Sequence, residues 1–163
     1  MRRFPELLGR LIRARVDFVI IGGLAGEVYG VSLATQDIDL SCDFSLENLA
    51  RLSKALVGLH AYHRMTPKRI PLELTPDFCK HLKNLYLSTD HGQIDLLSSV
   101  LGVGDFAEAK RNSIEVELEA GPCRVLSLDA LIKAKEAMNR PRDREAVLQL
   151  KAIRERLEQE RQV

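Results

Sequence analysis

At 163 residues, with 45% apolar and 29% charged side chains, the chain has the length for one domain with a real core and the composition of a folded protein. A formal net charge of +1 gives no global basic field, so contact with nucleic acid would have to come from a local patch. Cys42, Cys79 and Cys123 are dispersed without a CxxC pair, which argues against a disulfide framework or a zinc site and fits a reducing cytoplasm.

The opening MRRFPELLGRLIRARVD spreads its charges through an amphipathic pattern. Phe4, Leu7, Leu8, Leu11 and Ile12 recur at helical spacing, so a helix ending near Arg15 is expected rather than a signal peptide. No apolar run approaches membrane-spanning length. Asp17 to Ile21 reads as a strand buried on both faces, Gly22-Gly23 as a tight turn, and LAGEVYG as a short helix stopped near Gly30. Asp37 to Cys42 is a second strand. Ser45 is an N-cap for a helix whose apolar face includes Leu46, Leu49, Leu52 and Leu56.

Pro67, Pro71 and Pro76 break the pattern between His60 and Phe78, where extended segments and loop are expected. Leu85 to Ser88 and Gln93 to Ser98 flank Thr89-Asp90-His91-Gly92 and form an antiparallel hairpin. A short helix over 105–110 follows, then a second hairpin from Ile114–Leu118 and Arg124–Leu126. Two final helices are separated at Asn139-Arg140-Pro141, since proline suits a first helical position. With no linker, repeat or low-complexity tract, residues 1–163 read as a single α+β domain.

The chemistry concentrates in three places. Asp37 and Asp39 alternate with apolar Ile38 and Leu40, so the two carboxylates share one strand face about 7 Å apart. Their repulsion calls for a counter-charge such as divalent metal, although a bare DxD is most often a solvated edge. A double glycine between buried strand and helix lets backbone N–H groups approach an anion, and it is equally compatible with a plain turn. The joint pattern, with the glycines about fifteen residues before the acidic pair, is more specific than either half. Asp95, in GQIDLL, is a third carboxylate that would complete a metal cluster if its strand lay beside Asp37-Asp39, and it would be the base for an attacking hydroxyl. Ser127 caps a helix on which Leu128, Leu131, Ile132, Lys135 and Met138 fall on one stripe, with Lys133 opposite. An ammonium in such a stripe must snorkel or find an anion. The four histidines show no ligand spacing, and GxSxG, P-loop and GxGxxG motifs are absent.

GGLAGEVYGVSLATQDIDL resembles the glycine-rich and acidic motifs of the DNA polymerase β-like nucleotidyltransferase superfamily, most closely small bacterial members related to the toxin-antitoxin (AbiEii-type) nucleotidyltransferases. HGQIDLLSSVLG looks like the strand bearing the third acidic residue, and VLSLDALIKAKEAMNRPRDREAVLQL like the C-terminal lysine and Arg-Pro-basic-Asp segment. The resemblance implies a minimal nucleotidyltransferase fold, a mixed sheet with helices packed mainly on one side. It implies that Gly22, Gly23, Thr35, Lys135, Arg140 and Asp143 bind nucleotide, and that Asp37, Asp39 and Asp95 hold Mg²⁺ or Mn²⁺ and carry catalysis. The expected reaction moves an NMP from an NTP to an acceptor hydroxyl on tRNA, protein or a small molecule, releasing pyrophosphate. The setting would be cytoplasmic, without a membrane, and a partner protein of a toxin-antitoxin pair would accompany it. Leu33 stands where relatives often carry arginine, which favours the alternative, an inactive nucleotide- or partner-binding module. A DxD glycosyltransferase would leave the double glycine unexplained.

Overall fold

The computed structural model describes residues 3–163. Helix α1 (Phe4–Arg13) buries Leu7, Leu8 and Leu11, and strand β1 (Phe18–Ile21) is buried at all four positions. Helix α2 (Gly22–Tyr29) begins at the double glycine itself, so the glycines are its first turn rather than a loop ahead of it. Gly30, at φ 103°, ends α2 in the left-handed region. Strand β2 (Asp37–Cys42) and helix α3 (Leu46–Ala55) follow as expected.

The Ser45 hydroxyl accepts from the Asn48 N–H at 3.2 Å, which confirms the cap. Leu46, however, is 57% exposed, and the fully buried polar residue of that first turn is Asn48. Its amide donates to the carbonyls of Asp43 and Asp17 at 2.6 and 3.1 Å and accepts from the Asp17 N–H at 2.7 Å. A satisfied amide is tolerated in a core, and this one ties α3 to the chain flanking β1 and β2.

Between 60 and 80 the expected extended stretch resolves into strands β3 (Tyr62–His63) and β4 (Ile70–Pro71) and the one-turn helix α4 (Pro76–Cys79). The hairpin β5 (Asn84–Thr89) and β6 (Gly92–Leu97) comes next. A small ribbon that periodicity does not reveal, β7 (Ser99–Val100) with β8 (Gly104–Asp105), leads into α5 (Phe106–Arg111). Hairpin β9 (Ser113–Leu118) and β10 (Gly121–Leu126) precedes α6 (Leu128–Met138) and α7 (Pro141–Arg161).

Eight strands form one mixed sheet in the order β4-β3-β5-β6-β2-β1-β10-β9. Strand β1 runs antiparallel to β2 and parallel to β10, while β2 runs parallel to β6. The central strands carry the core: Ile20, Ile38, Leu40, Ile94 and Leu96 are fully buried. The architecture is therefore α+β with a mixed sheet. Among the described residues no helix is long and apolar enough to cross a membrane.

Candidate active site

Parallel pairing of β2 with β6 sets Asp39 directly opposite Asp95 and Asp37 opposite Gln93. Neighbouring strands lie about 4.8 Å apart, so the third carboxylate stands beside the first two. Burial, followed by the negative charges of Asp95 and Asp37, pushes Asp39 up to about 7; Lys135 opposes this in part. Hydrogen bonding with Asp95 adds to the rise. The Oδ1 of Asp37 is buried and has no hydrogen-bond partner among the described residues.

The counter-charge at Asp95 is Arg64, which no local sequence pattern indicates. Its guanidinium pairs with both carboxylate oxygens, Nη1 with Oδ1 and Nη2 with Oδ2 at 3.0 Å. Nη2 also lies 3.9 Å from Asp37 Oδ2, and the side chain is only 19% exposed. Arg64 follows strand β3, which lies between the edge strand β4 and β5, and its N–H donates to the Tyr86 carbonyl of β5 at 3.0 Å. Because Tyr86 is paired with Asp95 across β5 and β6, the register of β3 on β5 delivers the guanidinium to the acidic cluster. Tyr86 also lies under it, 5.7 Å from Arg64 Cζ to the ring centroid.

The double glycine is demanded first by the protein. Gly22 has φ +65°, and a Cβ there would stand 2.4 Å from Asp39 Oδ2. A Cβ on Gly23 would lie 2.8 Å from Thr35 Oγ1. The Thr35 hydroxyl donates to the Asp37 carbonyl at 2.9 Å, which locks the approach to β2. The close contact with Thr35 gives Gly23 a reason that needs no ligand.

The cavity that these carboxylates line is also lined by cations from α6 and the start of α7. Lys135 takes the buried stripe as expected, with Leu131 and Ile132 buried and Lys133 exposed. Met138 departs from the stripe and is 46% exposed, one residue before Asn139 turns left-handed at φ 51°. The anion that Lys135 finds is Asp143, 3.6 Å away and fully buried. Arg140 shares it, donating from Nε at 2.6 Å, from Nη2 at 3.2 Å and from its backbone N–H at 3.1 Å. Burial raises the Asp143 carboxyl, but the hydrogen bonds and charges of Arg140 and Lys135 outweigh it and hold the group below the usual carboxylate range. Lys135 itself is lowered by burial, against the pull of Asp143.

One cavity of about 430 Å³ is lined by all nine sequence-predicted residues: Gly22, Gly23, Thr35, Asp37, Asp39, Asp95, Lys135, Arg140 and Asp143. Sequence reasoning missed Arg142 and Tyr86, which also line it, and Arg64 beside it. Arg142 carried a signal, since RPRD is strongly basic; Tyr86 and Arg64 carried none. Among the described residues no three His, Cys, Asp or Glu side chains form a ready metal-holding group. The donors nevertheless suit a hard cation. All are carboxylate oxygens, and the orphaned Asp37 Oδ1 is an acceptor in search of a charge. The chain matches no family model and no curated protein shows significant similarity to it.

Proposed function

We propose that this chain is a metal-dependent nucleotidyltransferase of the minimal nucleotidyltransferase fold, transferring NMP from an NTP to an acceptor hydroxyl. One observation carries the reading: acidic residues from two neighbouring parallel strands line the same cavity as Lys135, Arg140 and Arg142. Carboxylates for metal together with cations for phosphate are the charge layout a metal-bound triphosphate requires. Asp37, Asp39 and Asp95 would hold Mg²⁺ or Mn²⁺, which supplies charge neutralisation to the triphosphate oxygens.

The remaining work falls to the chain itself. Lys135 and Arg140, pre-positioned by Asp143, bind the phosphates, with Arg142 at the same rim. The N-terminal turn of α2 brings backbone close to the anion through its two glycines. The acceptor oxygen forms a bond to the α-phosphorus as the bond to the bridging oxygen breaks. Pyrophosphate leaves with that electron pair, and the acceptor proton passes to Asp95. The acceptor class, whether tRNA, protein or a small molecule, and any toxin-antitoxin partner stay open within this reading.

Incubation with labelled NTPs, Mg²⁺ or Mn²⁺ and cell extract tests it, with product class read from RNase and protease sensitivity. Labelled product from wild type and none from Asp39→Asn is the expected result. Equal labelling by the two, or none from wild type, overturns the catalytic reading. The Arg64–Asp95 pair and Leu33 favour one alternative, an inactive nucleotide-binding module. That module would be stabilised by NTP without transferring it.

A further inference from the structure

We propose that Arg64 is an internal counter-cation which a divalent metal must displace from Asp95, so that Arg64 sets the metal affinity of the site. This inference rests on the metal-binding reading of the three carboxylates above. Geometry carries it: the guanidinium engages both oxygens of Asp95 and reaches to 3.9 Å from Asp37, so it spans two of the three carboxylates. A divalent ion held by the same oxygens would meet a positive charge already in place, and like charges at such range repel.

The exchange needs only side-chain motion. The β3 backbone is fixed to β5 through Tyr62↔Ser88, His63↔Leu87 and the Arg64 N–H to the Tyr86 carbonyl. None of those bonds involves the guanidinium. Arg64 reaches Asp95 from the β3 side over the Tyr86 ring and is not itself among the residues that line the cavity. An opposite role is conceivable on the same geometry, in which Arg64 orients Asp95 while the metal binds. The two roles predict opposite signs for removal of Arg64.

Mn²⁺ titration followed by electron paramagnetic resonance decides the sign, using the full chain as wild type, Arg64→Ala and Arg64→Gln, with Asp95→Asn as a further variant. The glutamine variant keeps most of the packing on Tyr86 while removing the charge, and melting curves establish that each protein is folded. Displacement predicts that both Arg64 variants bind Mn²⁺ at least about tenfold more tightly than wild type, which is ~1.4 kcal/mol. It also predicts that Asp95→Asn loses most of that gain when combined with Arg64→Gln. Equal or weaker Mn²⁺ binding by the folded Arg64 variants overturns the proposal and leaves the metal reading standing. No Mn²⁺ binding by any of the proteins overturns both.

Discussion

Replacing Asp39 with asparagine should stabilise the metal-free protein, and by an amount that grows with pH. The carboxyl is pushed from its ordinary 3.8 to about 7, chiefly by burial and then by Asp95 and Asp37. Because the native-state value lies above the unfolded one, the native protein holds more protons than the unfolded chain between those two values. Stability contributed by this group is therefore complete below about pH 4 and is lost as pH rises toward 7. The displacement is roughly three pH units, and at ~1.4 kcal/mol per unit the ceiling is about 4 kcal/mol. Asp39 lines a cavity and is not fully enclosed, so solvent screening reduces this to roughly 2 kcal/mol. Asparagine imitates the protonated acid without a charge to lose. Its advantage over wild type should be near zero at pH 4 and reach about 2 kcal/mol by pH 8, or ~4–8 °C in Tm for a chain of this size. Urea unfolding of both proteins in EDTA from pH 4 to 8 measures the difference directly. A difference that is constant across that range, or a variant less stable than wild type at pH 8, would refute the electrostatic account of the cluster.

Three other perturbations separate the parts of the site. Lys135→Ala should weaken binding of NTP or tripolyphosphate by about tenfold, ~1.4 kcal/mol, while Lys133→Ala, on the exposed face, should leave it near wild type; calorimetric titration reads both, and equal losses would leave Lys135 a helix residue paired with Asp143. Asp143→Asn should destabilise the chain by about 3–5 kcal/mol in chemical denaturation, because it leaves the half-buried Lys135 ammonium without its anion and removes the carboxylate that Arg140 grips; a loss under about 1 kcal/mol would show the pair to be ornamental to the fold. Gly22→Ala and Gly30→Ala both place a side chain at positive φ, +65° and +103°, but only the first drives a Cβ into Asp39. The Gly22 variant should therefore melt well below the Gly30 variant without any ligand present, and equal melting temperatures would count against the close approach of α2 to β2.

What was legible in the sequence is what local chemistry dictates. Alternation in Asp37-Ile38-Asp39-Leu40 fixes which side chains go inward, and Ile38 and Leu40 are fully buried. Ser45 and Ser127 cap the helices they open, and Pro141 starts the last one. Even the position of Lys135 follows from helical phase. Local chemistry fails where satisfaction of a polar group replaces apolarity as the condition for burial. Asn48 is buried ahead of Leu46 because its amide finds partners on two other segments, and no periodic pattern records partners. Arg64 is the extreme case. It lies just ahead of three prolines in a stretch without periodicity, 31 residues from the carboxylate it binds. Only the pairing of a two-residue strand with β5 brings it there. A one-residue slip of that short strand would turn the guanidinium to the other face of the sheet. The charge balance of the candidate site is thus written by the register of β3 on β5, while its acidic half is written in the strands themselves.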